Sequence, residues 1–257
     1  MRSKKINDYE YSKFSQNGED GLIDFLTKKL KKNNKFFVEF GCSNGLQNNS
    51  RNLIENGWSG IVCDLPKNIN NFVSLLKKVN PKGKIELAGG SINLENINEI
   101  IIKLKKLKID FFSIDIDSYD FYIINRLLKS KILPKILCVE YNSFFGKDPL
   151  VVKYHLNFDR YKFDKKRGLY FGSSLQAWKV LLKKYNYKFI CVDKNGVNAF
   201  FILPHEFKKS IFSYSGLSFK YTSVFIKKYK LQGQILENEF LKVHKKNLIN
   251  AYEIIDN

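Results

Sequence analysis

The run Phe36-Phe37-Val38-Glu39-Phe40 leads straight into Gly41-Cys42-Ser43-Asn44-Gly45, and about 20 residues later Ile61-Val62-Cys63 ends in Asp64. An apolar run that breaks at glycines reads as a buried parallel strand entering a tight turn, where a missing Cβ lets a ligand approach the backbone. An acid closing the neighbouring run sets a carboxylate where a ribose diol would lie. The glycines are spaced E-x-G-x-x-x-G rather than G-x-G-x-x-G, and the chain has no G-x-x-x-x-G-K-[ST] loop. A nucleoside ligand without phosphates, S-adenosylmethionine, therefore suits this turn better than a dinucleotide or ATP. Gly41, Gly45 and Asp64 are its candidate cofactor residues.

The rest of the chain repeats the pattern. Gly18-Glu19-Asp20-Gly21-Leu22 carries acids ahead of an apolar helical spacing, which predicts a helix leading into the first strand. Strand-like runs fall near residues 35–41, 59–64, 84–88, 109–116 and 135–141, separated by helix-length stretches. Tyr187 to Val192 and Val197 to Leu203 flank Asn195-Gly196, a hairpin signal. Five parallel strands and a closing hairpin predict an α/β fold, the Rossmann-like seven-stranded methyltransferase sheet with helices on both faces. The predicted division is a domain over 1–203, with an aromatic and charged insertion at 143–172 as lid or substrate wall, and a peripheral, mostly helical tail over 204–257.

At 257 residues and 44% hydrophobic, the chain can bury one large core. No run reaches the ~20 apolar residues of a membrane span, and the start lacks the apolar core of a secretory signal, so a cytoplasmic protein is expected. Cys42, Cys63, Cys138 and Cys191 fall in or just after strand-like runs without C-x-x-C pairing, which predicts buried free thiols. The net charge of +19 favours anionic partners, yet only five of the 44 basic residues are arginine. Lysine runs alternating with apolar residues at helical spacing read as solvated helix faces, and charge alone assigns no function.

The densest polar cluster is Ser113-Ile114-Asp115-Ile116-Asp117-Ser118-Tyr119-Asp120, at the end of the fourth strand. Ligands of an open α/β sheet bind beyond the carboxyl ends of its strands, which makes Asp115 a further cofactor candidate. Carboxylates this close repel unless a cation or several donors sit among them. The fifth strand delivers Glu140 and Asn142 to the same edge, so Asp115 or Asp117 with Glu140 and Asn142 can hold Mg²⁺. Equally, Asp117 or Asp120 can cap the next helix while Glu140 binds a backbone amide, with no metal. Methyl transfer to a hydroxyl needs alignment and a proton acceptor, for which Asp117, Glu140 and His155 are the candidates.

Ser15-Gln16-Asn17-Gly18-Glu19-Asp20, Phe37 to Gly45, Asn56-Gly57-Trp58-Ser59-Gly60, Ser113 to Asp117, Glu140-Tyr141-Asn142, Tyr170 to Leu175 and Asn198-Ala199-Phe200-Phe201 occur in that order. Together they resemble the FkbM-like S-adenosylmethionine-dependent methyltransferases, many of which act on sugars or glycan precursors. The likeness spans about residues 14 to 203 and leaves out the tail. It implies a Rossmann-like fold with Glu39, Gly41 and Asp64 on the cofactor and Ser15, Gln16 and Asp20 closing its pocket. A wider group of sugar O-methyltransferases carries metal-binding acids where this chain has Asp117 and Glu140. Two departures stand out: Asp117-Ser118 replaces the common aspartate-glycine, and Leu65-Pro66 follows Asp64 directly.

The expected function is O-methylation of a sugar, or of a phosphorylated or nucleotide-linked glycan precursor, in surface polysaccharide biosynthesis. A non-catalytic module of the same fold within a glycan-assembly complex is the alternative. A nucleic-acid methyltransferase is disfavoured, because amino methylation of bases calls for an Asn/Asp-Pro-Pro-aromatic turn and this chain has Asp115-Ile116-Asp117-Ser118. Oligomeric state is left open.

Overall fold

A computed structural model describes residues 4–43 and 45–256; Asn44, inside the first turn, lies outside them. The central sheet is built from β1 (Phe36–Phe40), β2 (Ser59–Asp64), β3 (Ile85–Gly89), β4 (Phe111–Ile114), β5 (Ile136–Glu140), β6 (Lys188–Val192) and β7 (Asn198–Ile202), in the order β3-β2-β1-β4-β5-β7-β6. β1 to β5 pair in parallel, and β7 runs antiparallel between β5 and β6. The strands fall where the apolar runs predict them, and the hairpin turns at Gly196 with φ +73°.

Alternation along each strand separates two cores. From β1, Val38 and Phe40 enter the larger core with Phe112, Ile114, Leu137 and Val139, beneath α4 (Ile97–Leu104), α5 (Asp120–Lys129) and α7 (Leu175–Lys184). Phe37 points the other way and joins Val62, Phe111, Ile136 and Phe200 under α1 (Glu19–Lys28), α2 (Arg51–Glu55) and α3 (Pro66–Val79). Each fully buried phenylalanine contributes on the order of 2 kcal/mol of transfer free energy, so reversing one strand's register would forfeit several such terms at once.

The insertion and the tail fold together. A third core joins Phe144, Phe145, Leu169 and Tyr170 to Leu236 and Phe240 of α9 (Gly233–His244), near the short helices α6 (Arg160–Phe163) and α8 (Ser223–Tyr229). Leu248–Asn250 pairs antiparallel with Leu150–Val152, and Ala251 and Ile255 of α10 (Ala251–Ile255) enter the larger core. All four cysteines are buried and free. No helix of the described residues is long and apolar enough to cross a membrane.

Candidate functional site

The chain leaves β1 for β2 and β3 on one side and reaches β4 and β5 on the other, so the sheet's topological switch lies between β1 and β4. Ligand crevices of open α/β sheets form there, beyond the carboxyl ends of the strands. Gly41 sits at that point with φ +83°, its N–H donating to Cys63 O at 2.9 Å. A Cβ on Gly41 would lie 1.7 Å from the Asp115 carbonyl oxygen, so the β4 backbone itself excludes any larger residue. Gly45 closes the turn at φ +75°, where a Cβ would press on the Phe72 ring at 2.7 Å. Ser43, also left-handed at φ +51°, donates its N–H to Asp64 Oδ2 at 2.7 Å. Asp64 further accepts from Leu65 N at 2.6 Å and Asn68 Nδ2 at 2.9 Å. Pro66 opens α3, and these bonds keep the Asp64 carboxylate against the glycine turn although the chain bends at once into a helix.

Glu39, 2% exposed, takes Asn48 Nδ2 at 2.8 Å, Asn49 N at 2.9 Å, Ser50 N at 3.3 Å and the Ser50 hydroxyl. It ties residues 48–50 over the end of β1. Burial pushes its carboxyl up to about 7 against the pull of those donors. Asn49 Nδ2 continues the chain of contacts to Ser113 Oγ on β4 at 2.9 Å.

The segment ahead of α1 folds on Asp20, which is fully buried. Its Oδ2 gathers the N–H groups of Lys13, Phe14 and Ser15 at 2.8, 2.6 and 2.8 Å, and Ser15 Oγ accepts from Asp20 N at 2.9 Å. Gln16 is exposed. Sequence reasoning passed over Glu19, only 1% exposed, which accepts from Asn17 N at 2.6 Å and reaches across the sheet to Asn198 Nδ2 at 2.7 Å. The sequence signals Asn198 through the Asn198-Ala199-Phe200-Phe201 motif of the family likeness, and through its place as a polar residue opening an otherwise apolar run.

Asp115, Asp117 and Glu140 converge, with carboxylate oxygens all within 4.8 Å of one another. Burial first, and then repulsion from the neighbouring acids, raises Asp115 and Glu140 well above the ordinary carboxylate range. Asp120, the first residue of α5, bonds back to the loop instead of capping the helix as expected: its carboxylate accepts from Ile116 N at 2.9 Å and Ser118 N at 3.2 Å, burial lifts it to about 6, and α5 carries no side-chain cap. The bend after β4 falls on Asp117, at φ +57°, so the position held by Ser118 has no need of glycine.

Arg160 of α6, which no sequence motif singles out, supplies positive charge. Its Nη1 donates to Asp117 Oδ1 at 2.6 Å, its Nε to Gly168 O at 2.5 Å, and its guanidinium lies 3.8 Å from the Phe171 ring centroid. Asn142 corrects an expectation. It is 1% exposed, its amide oxygen caps the following turn through Phe144 N at 3.0 Å, and its Nδ2 donates to Leu169 O and Phe171 O. It holds the insertion in place, with that oxygen committed to the turn. His155 is exposed, its ring against Phe163 at 4.9 Å and its backbone N–H on the Tyr119 hydroxyl.

The strand order, with five parallel strands and an antiparallel β7 inserted between β5 and β6, defines the Rossmann-like methyltransferase fold. No protein-family profile matches the chain, and no curated protein matches its sequence. Among solved structures it is similar to the mitomycin 7-O-methyltransferase MmcR, with 13% identity and a TM-score of 0.40 over 69% of this chain and 50% of that one. It is also similar to an O-methyltransferase family 2 protein from Planctomyces limnophilus in complex with apigenin, with 14% identity and a TM-score of 0.41 over 77% and 56%. A third is monomeric WbdD, with 18% identity and a TM-score of 0.39 over 65% and 36%. The chain thus spans about half the length of the structures it matches.

Proposed function

We propose that this chain is an S-adenosylmethionine-dependent O-methyltransferase of FkbM-like type, acting on a sugar or a phosphorylated or nucleotide-linked glycan precursor. One observation carries the reading: the Gly41 turn, with Asp64 on its far side, packs directly on the Asp115 carbonyl that opens the acid cluster. A nucleoside seat and a group of proton acceptors are thereby held on adjoining strand ends. Asp64 takes the ribose diol, exchanging part of its bonding to Ser43 for the ligand's hydroxyls, while Glu39 keeps residues 48–50 from collapsing into the crevice.

Methyl transfer is an in-line displacement. The acceptor oxygen bonds to the methyl carbon, the carbon–sulfur bond breaks with its electron pair staying on sulfur, and the hydroxyl proton leaves. Glu140 takes that proton, because burial and its acidic neighbours make it a stronger base than an ordinary carboxylate. Asp117, fixed by Arg160, orients a second hydroxyl of the acceptor. The donor set of Asp115, Asp117 and Glu140 fits a hard divalent cation such as Mg²⁺, which when bound would polarise the acceptor hydroxyl.

The test is calorimetric titration with S-adenosylhomocysteine, followed by a methyl-transfer screen over sugars and sugar nucleotides with Mg²⁺ or EDTA. Saturable cofactor binding and transfer to a sugar hydroxyl support the reading. Binding without transfer to any acceptor would favour a non-catalytic module.

A further inference from the structure

The first residue of α1 and the first residue of β7 meet over the sheet, with Asn198 Nδ2 donating to Glu19 Oε1 at 2.7 Å. A carboxylate only accepts, so the amide nitrogen must face Glu19 and the amide oxygen is turned the other way. That oxygen, on a residue 4% exposed, is buried with no hydrogen-bond partner among the described residues. Asn198 stands directly across from Glu140 in the β5/β7 register, and residues opposite one another in an antiparallel pair project from the same face. Asp115, just past the end of β4, brings a carboxylate oxygen within 4.8 Å of one on Glu140.

Every group named at this spot is an acceptor: Glu19, Asp115, Glu140 and the Asn198 amide oxygen. Glu19 spends three acceptor positions on Asn17 N, Asn17 Nδ2 and Asn198 Nδ2, which leaves one open. A buried acceptor without a donor is unfavourable, so the arrangement suits an occupant that brings several N–H groups and positive charge. A phosphate set against Glu19 and the Asn198 amide oxygen would face acceptors, with the Arg160 guanidinium already bonded to Asp117 and Gly168 O, although the chain as a whole carries +19.

We propose that Glu19 and Asn198 bind a primary ammonium group of a ligand seated in the crevice. The inference rests on the methyltransferase reading, under which two ligands bring such a group: the amino-acid end of the cofactor, or an amino sugar as acceptor.

The experiment is calorimetry on wild type, Glu19→Gln and Asn198→Ser with S-adenosylhomocysteine and with 5′-methylthioadenosine, which lacks the amino-acid end. Methyl-transfer KM is measured in parallel for amino-bearing and hydroxyl-only sugars. If the cofactor supplies the ammonium, either variant binds S-adenosylhomocysteine at least about tenfold more weakly while methylthioadenosine is unaffected, as the loss of one charged hydrogen bond implies. If the acceptor supplies it, cofactor affinity holds and KM rises about tenfold for amino sugars alone. Unchanged values in both arms overturn the assignment. Should a variant fail to fold, wild type decides: equal affinity for S-adenosylhomocysteine and its deaminated analogue, with equal KM for amino and hydroxyl acceptors, overturns it. Wild type that binds no S-adenosylhomocysteine removes the methyltransferase reading itself, a distinct outcome.

Discussion

Arg160 Nη1 stands 2.6 Å from Asp117 Oδ1, so the insertion between β5 and α7 places its guanidinium on the acid cluster at the end of β4. The same guanidinium lies on Phe171 and its Nε holds Gly168 O, which fixes the charge in orientation as well as in place. Arg160→Met should lower methyl transfer about 10- to 100-fold by releasing Asp117, with affinity for S-adenosylhomocysteine within about twofold of wild type. Steady-state kinetics and calorimetry on the same preparation check both numbers; unchanged kcat/KM would remove Arg160 from the site's function.

Gly41→Ala should be severe. The new Cβ would meet the Asp115 carbonyl at 1.7 Å in a left-handed backbone that disfavours any side chain, so a loss of about 2 kcal/mol or more is expected. Urea denaturation gives the stability, and cofactor titration should show binding abolished. A variant as stable as wild type would mean that the turn and β4 do not pack as described.

Glu39 makes stability depend on pH in a direction that can be assigned. Its carboxyl is raised from 4.5 to about 7 in the folded chain. The folded state therefore holds this proton after the unfolded state has released it, so the contribution is complete below about pH 4.5 and lost as pH rises through about 7. The unfolding free energy of wild type minus that of Glu39→Gln should fall by about 3 kcal/mol over that interval. Denaturant titrations at pH 4.5 and 7.5 measure it, and a difference that stays constant or grows with pH would contradict the burial argument.

Glu140→Ala should abolish turnover while leaving the fold and the cofactor affinity intact, because β5 is held by its apolar ladder and not by this side chain. Circular dichroism, calorimetry and initial rates separate the three. Activity close to that of wild type would exclude Glu140 as the proton acceptor.

The sheet was legible because its signals are local. Apolar runs, their glycine breaks and the Asn195-Gly196 hairpin turn each lie within a few residues, and β1, β2 and β5 fall inside or match the runs that predict them. What escaped is long-range. Arg160 reaches Asp117 across 43 positions and Asn198 reaches Glu19 across 179, separations at which neither periodicity nor spacing carries information. Asn142 misled for the opposite reason. A polar residue just past a strand end looks like a ligand-facing group, and only the fold of the insertion shows its oxygen turned inward to cap Phe144. The tail's pairing of Leu248–Asn250 with Leu150–Val152 has the same character, two short strands that each mean little alone.

The account turns on the nucleoside seat formed by Gly41 and Asp64, and calorimetric titration of wild type and Asp64→Ala with S-adenosylhomocysteine tests it most directly. Wild type should bind one equivalent with saturation, and Asp64→Ala about tenfold or more weakly, since the ribose diol loses a charged acceptor. Absence of saturable binding by wild type, or equal affinity in the two proteins, would contradict it.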